Sequence, residues 1–219
     1  MIILCYHELA DDESTPWILK PDSFAEHLEI LADRGYCTGK LPTSADIIDA
    51  KRLVITFDDG TVGCLRHAHS LLLRHGMTAY FYICPGYTTG AVQPYRSATY
   101  MTWSEIRELS RQHVIGAHSL THRTFDNLPE VDRRQEMAES KAVIEDQIGQ
   151  SCLDWATPYG YVDAELQRLA QAVGFSTLVT TQFGANHSIH PFCLQRWEVH
   201  SPCPRKEFIS LLDQLEAVR

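Results

Sequence analysis

Short apolar runs alternate along the chain with longer segments in which apolar residues recur at helical spacing. The runs are short and rich in β-branched and aromatic side chains, a pattern typical of buried strands. Predicted strands occupy residues 2–6, 52–57, 78–84, 114–117, 152–156, 175–180 and 193–199. Predicted helices occupy residues 21–34, 65–75, 102–111, 130–148, 163–173 and 205–218.

Strands that alternate with helices indicate a mainly parallel sheet, because a helix is the usual crossover between parallel strands. No linker, repeat or low-complexity stretch divides residues 1–219, so we expect a single catalytic domain. About seven βα units in one domain favour an α/β fold of the distorted or incomplete (β/α) barrel type. An open, doubly wound sheet is the alternative.

Composition narrows the range of partners. The 219 residues include 19 Lys and Arg against 28 Asp and Glu, which gives a formal net charge of −9. An acidic chain without a basic run is a poor candidate for binding nucleic acid. The apolar runs fall far short of the roughly 20 residues of a membrane-spanning helix, so no transmembrane segment is predicted. The sequence makes no prediction of oligomeric state.

Cysteine usage bears on the compartment. The seven cysteines are widely spaced and form no Cys-x-x-Cys pair, and most lie in apolar runs. Such cysteines behave as small apolar residues and favour a reducing environment over a disulfide framework. The sequence also opens directly with an apolar strand and shows no secretory signal. We therefore expect a cytoplasmic protein, or an extracytoplasmic one if a leader has been removed.

Polar residues follow several predicted strands at their carboxyl ends. In parallel α/β folds these ends meet at one edge of the sheet, where active sites assemble. Each residue alone is equally well explained as a cap or a turn, and the shared edge is what favours a functional reading. The residues are His7, Asp58, Asp59, His118, Pro158, Tyr159 and His200.

Two pairs among these residues suggest a metal site. Asp58 and Asp59 are adjacent, so repulsion separates their pKa values, and one can bind a metal while the other acts as a base. His118 and His122 are four residues apart, which on one helical turn places both imidazoles on the same face. Two solvated loop histidines are the alternative, since the chain has 11 histidines. One carboxylate and two imidazoles leave coordination positions open, as in a catalytic site.

These motifs together resemble those of the polysaccharide deacetylase family, the NodB homology domain of carbohydrate esterase family 4. The resemblance rests on TFDDG, on HSLTH about sixty residues later and on TPYG, and it runs from roughly residue 7 to residue 200. It implies a distorted (β/α) barrel. It also implies hydrolysis of N-acetyl groups on amino sugars, or of O-acetyl groups on some polysaccharides, with Zn²⁺ or a similar ion.

The resemblance also assigns roles to residues. It makes Asp58 the general base and Asp59, His118 and His122 the metal ligands. The backbone N–H of Tyr159 matches the family's oxyanion donor. We expect one divalent metal ion, with Zn²⁺ first and Co²⁺, Ni²⁺ or Mn²⁺ as alternatives, because a set of two histidines and one aspartate accepts several metals.

Two departures from the family pattern affect the remaining roles. Many members carry an arginine that tethers the catalytic aspartate, where this chain has Ala156, and Arg196 near the end of the last strand is the candidate replacement. Many members also carry Leu-x-His as the general acid, for which 198–200 is a loose match. A branch that deacetylates poly-N-acetylglucosamine lacks both features and has an N-terminal Tyr-His, which LCYH resembles. We therefore favour His7 over His200 as the general acid, while a cap on the first strand is the structural alternative for His7.

The expected function is removal of an N-acetyl group from an amino sugar, or from its oligomer or glycoconjugate, with release of acetate. A catalytically inactive carbohydrate-binding module on the same fold is one alternative. An amide hydrolase acting on a non-sugar substrate is another. A phosphatase of the haloacid dehalogenase type is disfavoured, because Phe57 stands where its nucleophilic aspartate would be.

Overall fold

The computed structural model describes residues 1–12, 14–44, 51–94 and 98–217. Ten strands lie within these ranges: β1 (Ile2–Tyr6), β2 (Glu8–Leu9), β3 (Ile18–Leu19), β4 (Cys37–Thr38), β5 (Arg52–Phe57), β6 (Tyr80–Ile83), β7 (Val114–Ala117), β8 (Asp154–Ala156), β9 (Thr177–Val179) and β10 (Trp197–Glu198). Seven α-helices lie within the same ranges: α1 (Pro21–Asp33), α2 (His69–Arg74), α3 (Pro85–Thr89), α4 (Trp103–Leu109), α5 (Glu130–Ile148), α6 (Ala164–Val173) and α7 (Arg205–Ala217). A π-helical turn, Cys64–Ala68, precedes α2, and a 3₁₀ turn, Pro158–Gly160, follows β8.

The main sheet is parallel and almost closes on itself. Its strands follow the order β10-β1-β5-β6-β7-β8-β9, and β4 pairs with β5. Leu194, which precedes β10, forms a parallel bridge with Val179 in β9. The Thr180 N–H donates to the Leu194 carbonyl at 2.8 Å across the same seam. The fold is therefore the distorted (β/α) barrel that the sequence predicts.

Side chains of the strands alternate between two cores, as the period of a strand requires. In β1, Ile2 and Leu4 pack into the large core between the sheet and the helices. Ile3 belongs instead to a smaller cluster inside the ring, together with Tyr82 and Val179. The interior is thus packed with side chains, and the functional groups are left at its carboxyl edge.

Most predicted elements are confirmed, and the differences have local causes. The last strand was predicted over 193–199 but is limited to Trp197–Glu198, because Leu194 bonds to the β9 side of the seam instead. The strands β2, β3 and β4 were not predicted, since two residues carry no periodic pattern. Within the described ranges, no helix combines the length and the apolar character needed to cross a membrane.

Candidate active site

The carboxyl end of β5 delivers two buried aspartates to the edge of the barrel. The Asp58 N–H donates to the Tyr6 carbonyl at 3.0 Å, which continues the pairing of β5 with β1. The chain then turns through two left-handed residues, with φ of 73° at Asp59 and 78° at Gly60. Because of this turn, the two carboxylates face different partners, and their roles are separable.

The Asp58 carboxylate is held by the Arg196 guanidinium through two parallel hydrogen bonds. Nη1 donates to Oδ1 at 2.8 Å and Nη2 donates to Oδ2 at 2.7 Å. Arg196 also donates to the Thr180 carbonyl and to Thr56 Oγ1, so its own position is fixed. Burial alone would raise the pKa of Asp58, but the charges of Arg196 and His118 lower it to about 2. The structure thus places Arg196 where the sequence analysis expected a replacement tether.

The Asp59 carboxylate faces two imidazoles. Its Oδ1 lies 3.4 Å from His118 Nε2 and 3.2 Å from His122 Nε2. All three side chains are buried, and their candidate ligand atoms lie within 4.8 Å of one another. Burial would raise the pKa of Asp59, but hydrogen bonds from His118 and His122 hold it well below its usual range.

The prediction that His118 and His122 share a helical turn is wrong. Residues 118–122 form an irregular loop in which φ is 59° at both Ser119 and His122. The His122 N–H donates to Ser119 Oγ at 2.8 Å, a local bond of the kind that competes with helix formation. The loop still brings the two rings together, with centroids 4.9 Å apart.

A buried glutamate on α5 holds this loop in place. The Glu136 carboxylate accepts the N–H groups of Leu120 and Thr121 at 2.9 and 2.8 Å, and it also accepts the Thr121 hydroxyl. No local pattern indicates this role, because α5 carries charged residues along its whole length. A side chain that points inward from such a helix is visible only in the fold.

The donor set fits a divalent metal ion. His118 Nδ1 lies 2.8 Å from the Ala156 carbonyl and donates its N–H there, which leaves Nε2, on the side of Asp59, as the nitrogen that would bind a metal ion. Metal-binding histidines are usually oriented by a hydrogen bond of this kind from the other ring nitrogen to a carbonyl. Two imidazoles and one carboxylate make a typical catalytic set with room for further ligands.

Tyr159 is placed by a strained turn after β8. Its φ is 58°, and the preceding Pro158 begins the 3₁₀ turn. The next residue, Gly160, packs so closely on Thr181 that a Cβ there would lie 1.9 Å from the Thr181 hydroxyl oxygen. The Tyr159 ring lies 5.0 Å from the His122 ring and is 57% exposed. The turn therefore brings the Tyr159 backbone to the rim of the site.

A cavity of about 240 Å³ opens over these groups. It is lined by His7, Trp17, Asp58, His118, His122, Tyr159, Thr181 and Glu198. The cavity therefore gathers residues from both ends of the described chain and from its middle. Its size suits a small acyl group with the atoms attached to it.

His7 and His200 occupy different positions relative to this cavity. His7 lines it, whereas His200 is exposed and is not among the lining residues. Trp17 lies between them, with ring centroids 4.7 Å from His7 and 4.5 Å from His200. Nothing in the chain pattern indicates this separation, since Trp17 reaches the edge of the barrel only through the fold.

Glu198 is a second carboxyl in the cavity wall that the sequence analysis did not single out. It lies in β10 opposite Cys5 of β1 and is half-buried. Burial raises the pKa of Glu198 to about 7, even though Arg196 acts to lower it. The one sequence signal for this position of Glu198 is strand alternation. Glu198 is two residues from Arg196, and side chains two residues apart in a strand lie on the same face.

Comparison with known proteins identifies the family. The sequence profile of the polysaccharide deacetylase family matches residues 47–178, which is more than half of the chain. The chain therefore belongs to the polysaccharide deacetylase family. It is 26% identical over 191 residues to YxkH of Bacillus subtilis, which is named for the same family. That alignment covers 84% of this chain and 65% of YxkH, so the chain spans about two thirds of its relative's length.

Solved deacetylases share the fold. The Streptococcus pyogenes deacetylase PplD, solved in complex with acetate, superposes with a TM-score of 0.83 at 20% identity, covering 96% of this chain and 97% of PplD. IcaB of Ammonifex degensii superposes with a TM-score of 0.84 at 21% identity, covering 96% of this chain and 95% of IcaB. A de-N-acetylase of Aggregatibacter actinomycetemcomitans superposes with a TM-score of 0.82 at 17% identity, covering 96% of this chain and 98% of the de-N-acetylase. At these identities the likeness establishes the architecture.

Proposed function

We propose that this protein is a metal-dependent N-deacetylase that removes the acetyl group from an N-acetylated amino sugar, its oligomer or a glycoconjugate. The observation that carries the proposal is the pairing of two groups at one edge of the barrel. A convergent Asp59, His118 and His122 set lies beside Asp58, which Arg196 holds in a fixed orientation. One set suits a metal ion and the other suits a positioned base.

Asp59, His118 and His122 would hold the metal ion, with Zn²⁺ as the first expectation and Co²⁺, Ni²⁺ or Mn²⁺ also compatible with this ligand set. An ion bound there supplies Lewis acidity, which polarises a carbonyl and makes water more acidic. All three of these side chains are buried, which limits the access of bulk water to them. Nδ1 of His118 stays on the Ala156 carbonyl and fixes the ring that binds.

Two residues of this chain carry out the proton transfers, and a third stabilises the intermediate. Asp58 accepts a proton from the attacking water as the new C–O bond forms at the acetyl carbon. The Tyr159 backbone N–H donates a hydrogen bond to the oxyanion of the tetrahedral intermediate. His7, in its protonated form, then gives a proton to the nitrogen as the C–N bond breaks. The products are acetate and a free amine, so water and amide are consumed one for one.

The proposal is tested by acetate release from N-acetylglucosamine and its oligomers of increasing length. Protein reconstituted with Zn²⁺ should release acetate and leave a free amine, while chelated protein should not. Asp58→Asn in the same metal-loaded state is the matched control for enzymatic release. Metal-loaded protein that is inert on the whole series would overturn the proposed substrate class.

A further inference from the structure

Among the residues that the structure describes, two carboxyl groups line the cavity, Asp58 and Glu198, and they differ in the hydrogen bonds they accept. Both oxygens of Asp58 accept hydrogen bonds from Arg196. Within the described ranges, no side chain or backbone group donates a hydrogen bond to the Glu198 carboxyl. Glu198 is nevertheless half-buried and faces the cavity. A carboxyl that gives up much of its hydration without gaining a donor has acceptor capacity in reserve for a ligand.

Resting on the proposed function, we infer that Glu198 accepts a hydrogen bond from the amide N–H of the substrate and thereby makes the site selective for N-acyl over O-acyl groups. A secondary amide has an N–H at the position where an ester has a bridging oxygen. In a cavity of about 240 Å³ the N–H is removed from water, so it needs an acceptor from the protein. Glu198 is the lining carboxyl whose oxygens are not already engaged.

The same contact works against esters. The bridging oxygen of an ester has lone pairs and no hydrogen, so an ester would bring an acceptor against the ionised Glu198 carboxylate, the form that predominates above a pH of about 7. A buried polar group left without its partner costs enough to discriminate strongly between otherwise similar substrates. The position of Glu198 is also firm, because β10 pairs with β1 through Cys5 and Glu198.

The test compares three methyl glucosides that differ only at the 2-position: 2-acetamido, 2-O-acetyl and 2-(N-methylacetamido). Each is offered to zinc-loaded wild type, Glu198→Gln and Glu198→Met, with kcat/KM measured from acetate release. Wild type should favour the acetamide over its N-methyl form, which has no N–H. Glu198→Met should lose about ten- to a hundredfold on the acetamide, with the ester rate unchanged or higher. The kcat/KM of Glu198→Gln on the acetamide should lie between those of wild type and Glu198→Met, since its amide oxygen still accepts a hydrogen bond.

Glu207→Gln, which removes an exposed carboxylate of the same charge, should leave all three rates unchanged. Metal content and the midpoint of thermal unfolding are compared across the variants. Equal losses on amide and ester, or an unchanged ratio between them, would overturn the role of Glu198 while leaving the deacetylase proposal intact. Equal behaviour of the Gln and Met variants would also overturn it, because charge rather than hydrogen-bond acceptance would then be responsible. If the wild-type protein is inert on all three glucosides and on the N-acetylglucosamine oligomers, the proposed function is wrong, and this inference is wrong with it.

Discussion

Arg196 and Asp58 lie 138 residues apart in sequence, yet their side chains form a two-pronged ion pair in the interior of the barrel. Neither side chain is appreciably exposed. Removing one partner of a buried pair leaves the other charge without compensation, which typically costs about 3–5 kcal/mol. The pair therefore affects both the orientation of Asp58 and the stability of the fold.

Arg196→Gln should lower the free energy of unfolding by about 3 kcal/mol, because a buried carboxylate loses its counterion. The measurement is urea denaturation followed by far-ultraviolet circular dichroism. The double variant Arg196→Gln with Asp58→Asn should recover part of the loss, since no bare charge remains. Arg168→Gln breaks an exposed ion pair with Glu130 and is the matched control, expected to change stability by less than about 1 kcal/mol. Additive losses in the double variant would contradict a coupled pair.

Asp58→Asn should retain the metal and lose roughly a hundredfold or more of kcat, because a carboxamide does not accept the proton of the attacking water. Metal content is measured by elemental analysis after gel filtration, and kcat is measured by acetate release. Near-normal turnover at full metal occupancy would show that another group is the base.

Replacement of Asp59, His118 or His122 by Ala should weaken divalent metal binding by more than the 10–100-fold typical of losing a supporting residue. Calorimetric titration of metal-free protein with Zn²⁺ gives the affinity directly and does not depend on activity. His187→Ala, at an exposed histidine, is the control and should bind as wild type. One ion per chain that survives all three substitutions would place the metal elsewhere.

His7→Ala should reduce deacetylation by about a hundredfold, whereas His200→Ala should stay close to wild type. The reason is position, since His7 lines the cavity and His200 lies outside it beyond Trp17. Both variants are assayed at equal metal occupancy. If His200→Ala is the impaired variant, the assignment of the general acid is reversed.

A buried histidine should make the fold sensitive to acid. His27 stacks on Phe208 with ring centroids 3.9 Å apart, and its ring nitrogens contact Tyr6 Oη and the Cys203 carbonyl. Burial lowers the pKa of His27 to about 4. The unfolded chain takes up this proton near pH 6.5 while the folded protein does not, so stability is full above pH 6.5 and falls as the pH drops towards 4. The loss from this one group approaches about 3 kcal/mol.

The measurement is urea denaturation at a series of pH values between 8 and 4. His27→Gln should be less stable at pH 8 but should lose less between pH 6.5 and 4, because it does not titrate. His190→Gln, at an exposed histidine, should leave the loss of stability between pH 6.5 and 4 unchanged. Parallel curves for wild type and His27→Gln would remove His27 as the acid-sensitive group.

The sequence predicted those features that depend on neighbouring residues. The helix predicted over 102–111 is present as α4, which begins with a capping box of Thr102 and Glu105, and α5 spans the predicted 130–148. Strand ends also indicated that His7, Asp58 and His118 would meet at one edge, whereas His200 lies outside the cavity. These signals are local, so they survive without knowledge of the fold.

Features that depend on contacts between distant segments were missed. The geometry of residues 118–122 was wrongly predicted as helical, because it is set by Ser119 and by Glu136 on a later helix. Glu198 and Trp17 reach the cavity only because β10 docks against β1 and the segment after β1 folds over the edge. Strand alternation places Glu198 on the same face as Arg196, but no periodicity encodes the docking of β10 against β1 or the position of Trp17.

The segment that the family profile matches ends at residue 178, before the seam where Leu194 meets β9. The candidate metal ligands and Asp58 lie inside that segment, whereas His7, Arg196 and Glu198 lie outside it. Under the proposed function, the matched segment supplies the metal ligands and the base, and the strands outside it supply the acid, the arginine that holds the base and the proposed acceptor. Under the proposed role of Glu198, position 198 is where an engineered variant could change acyl-group preference, because the candidate metal ligands Asp59, His118 and His122 lie on other segments of the chain.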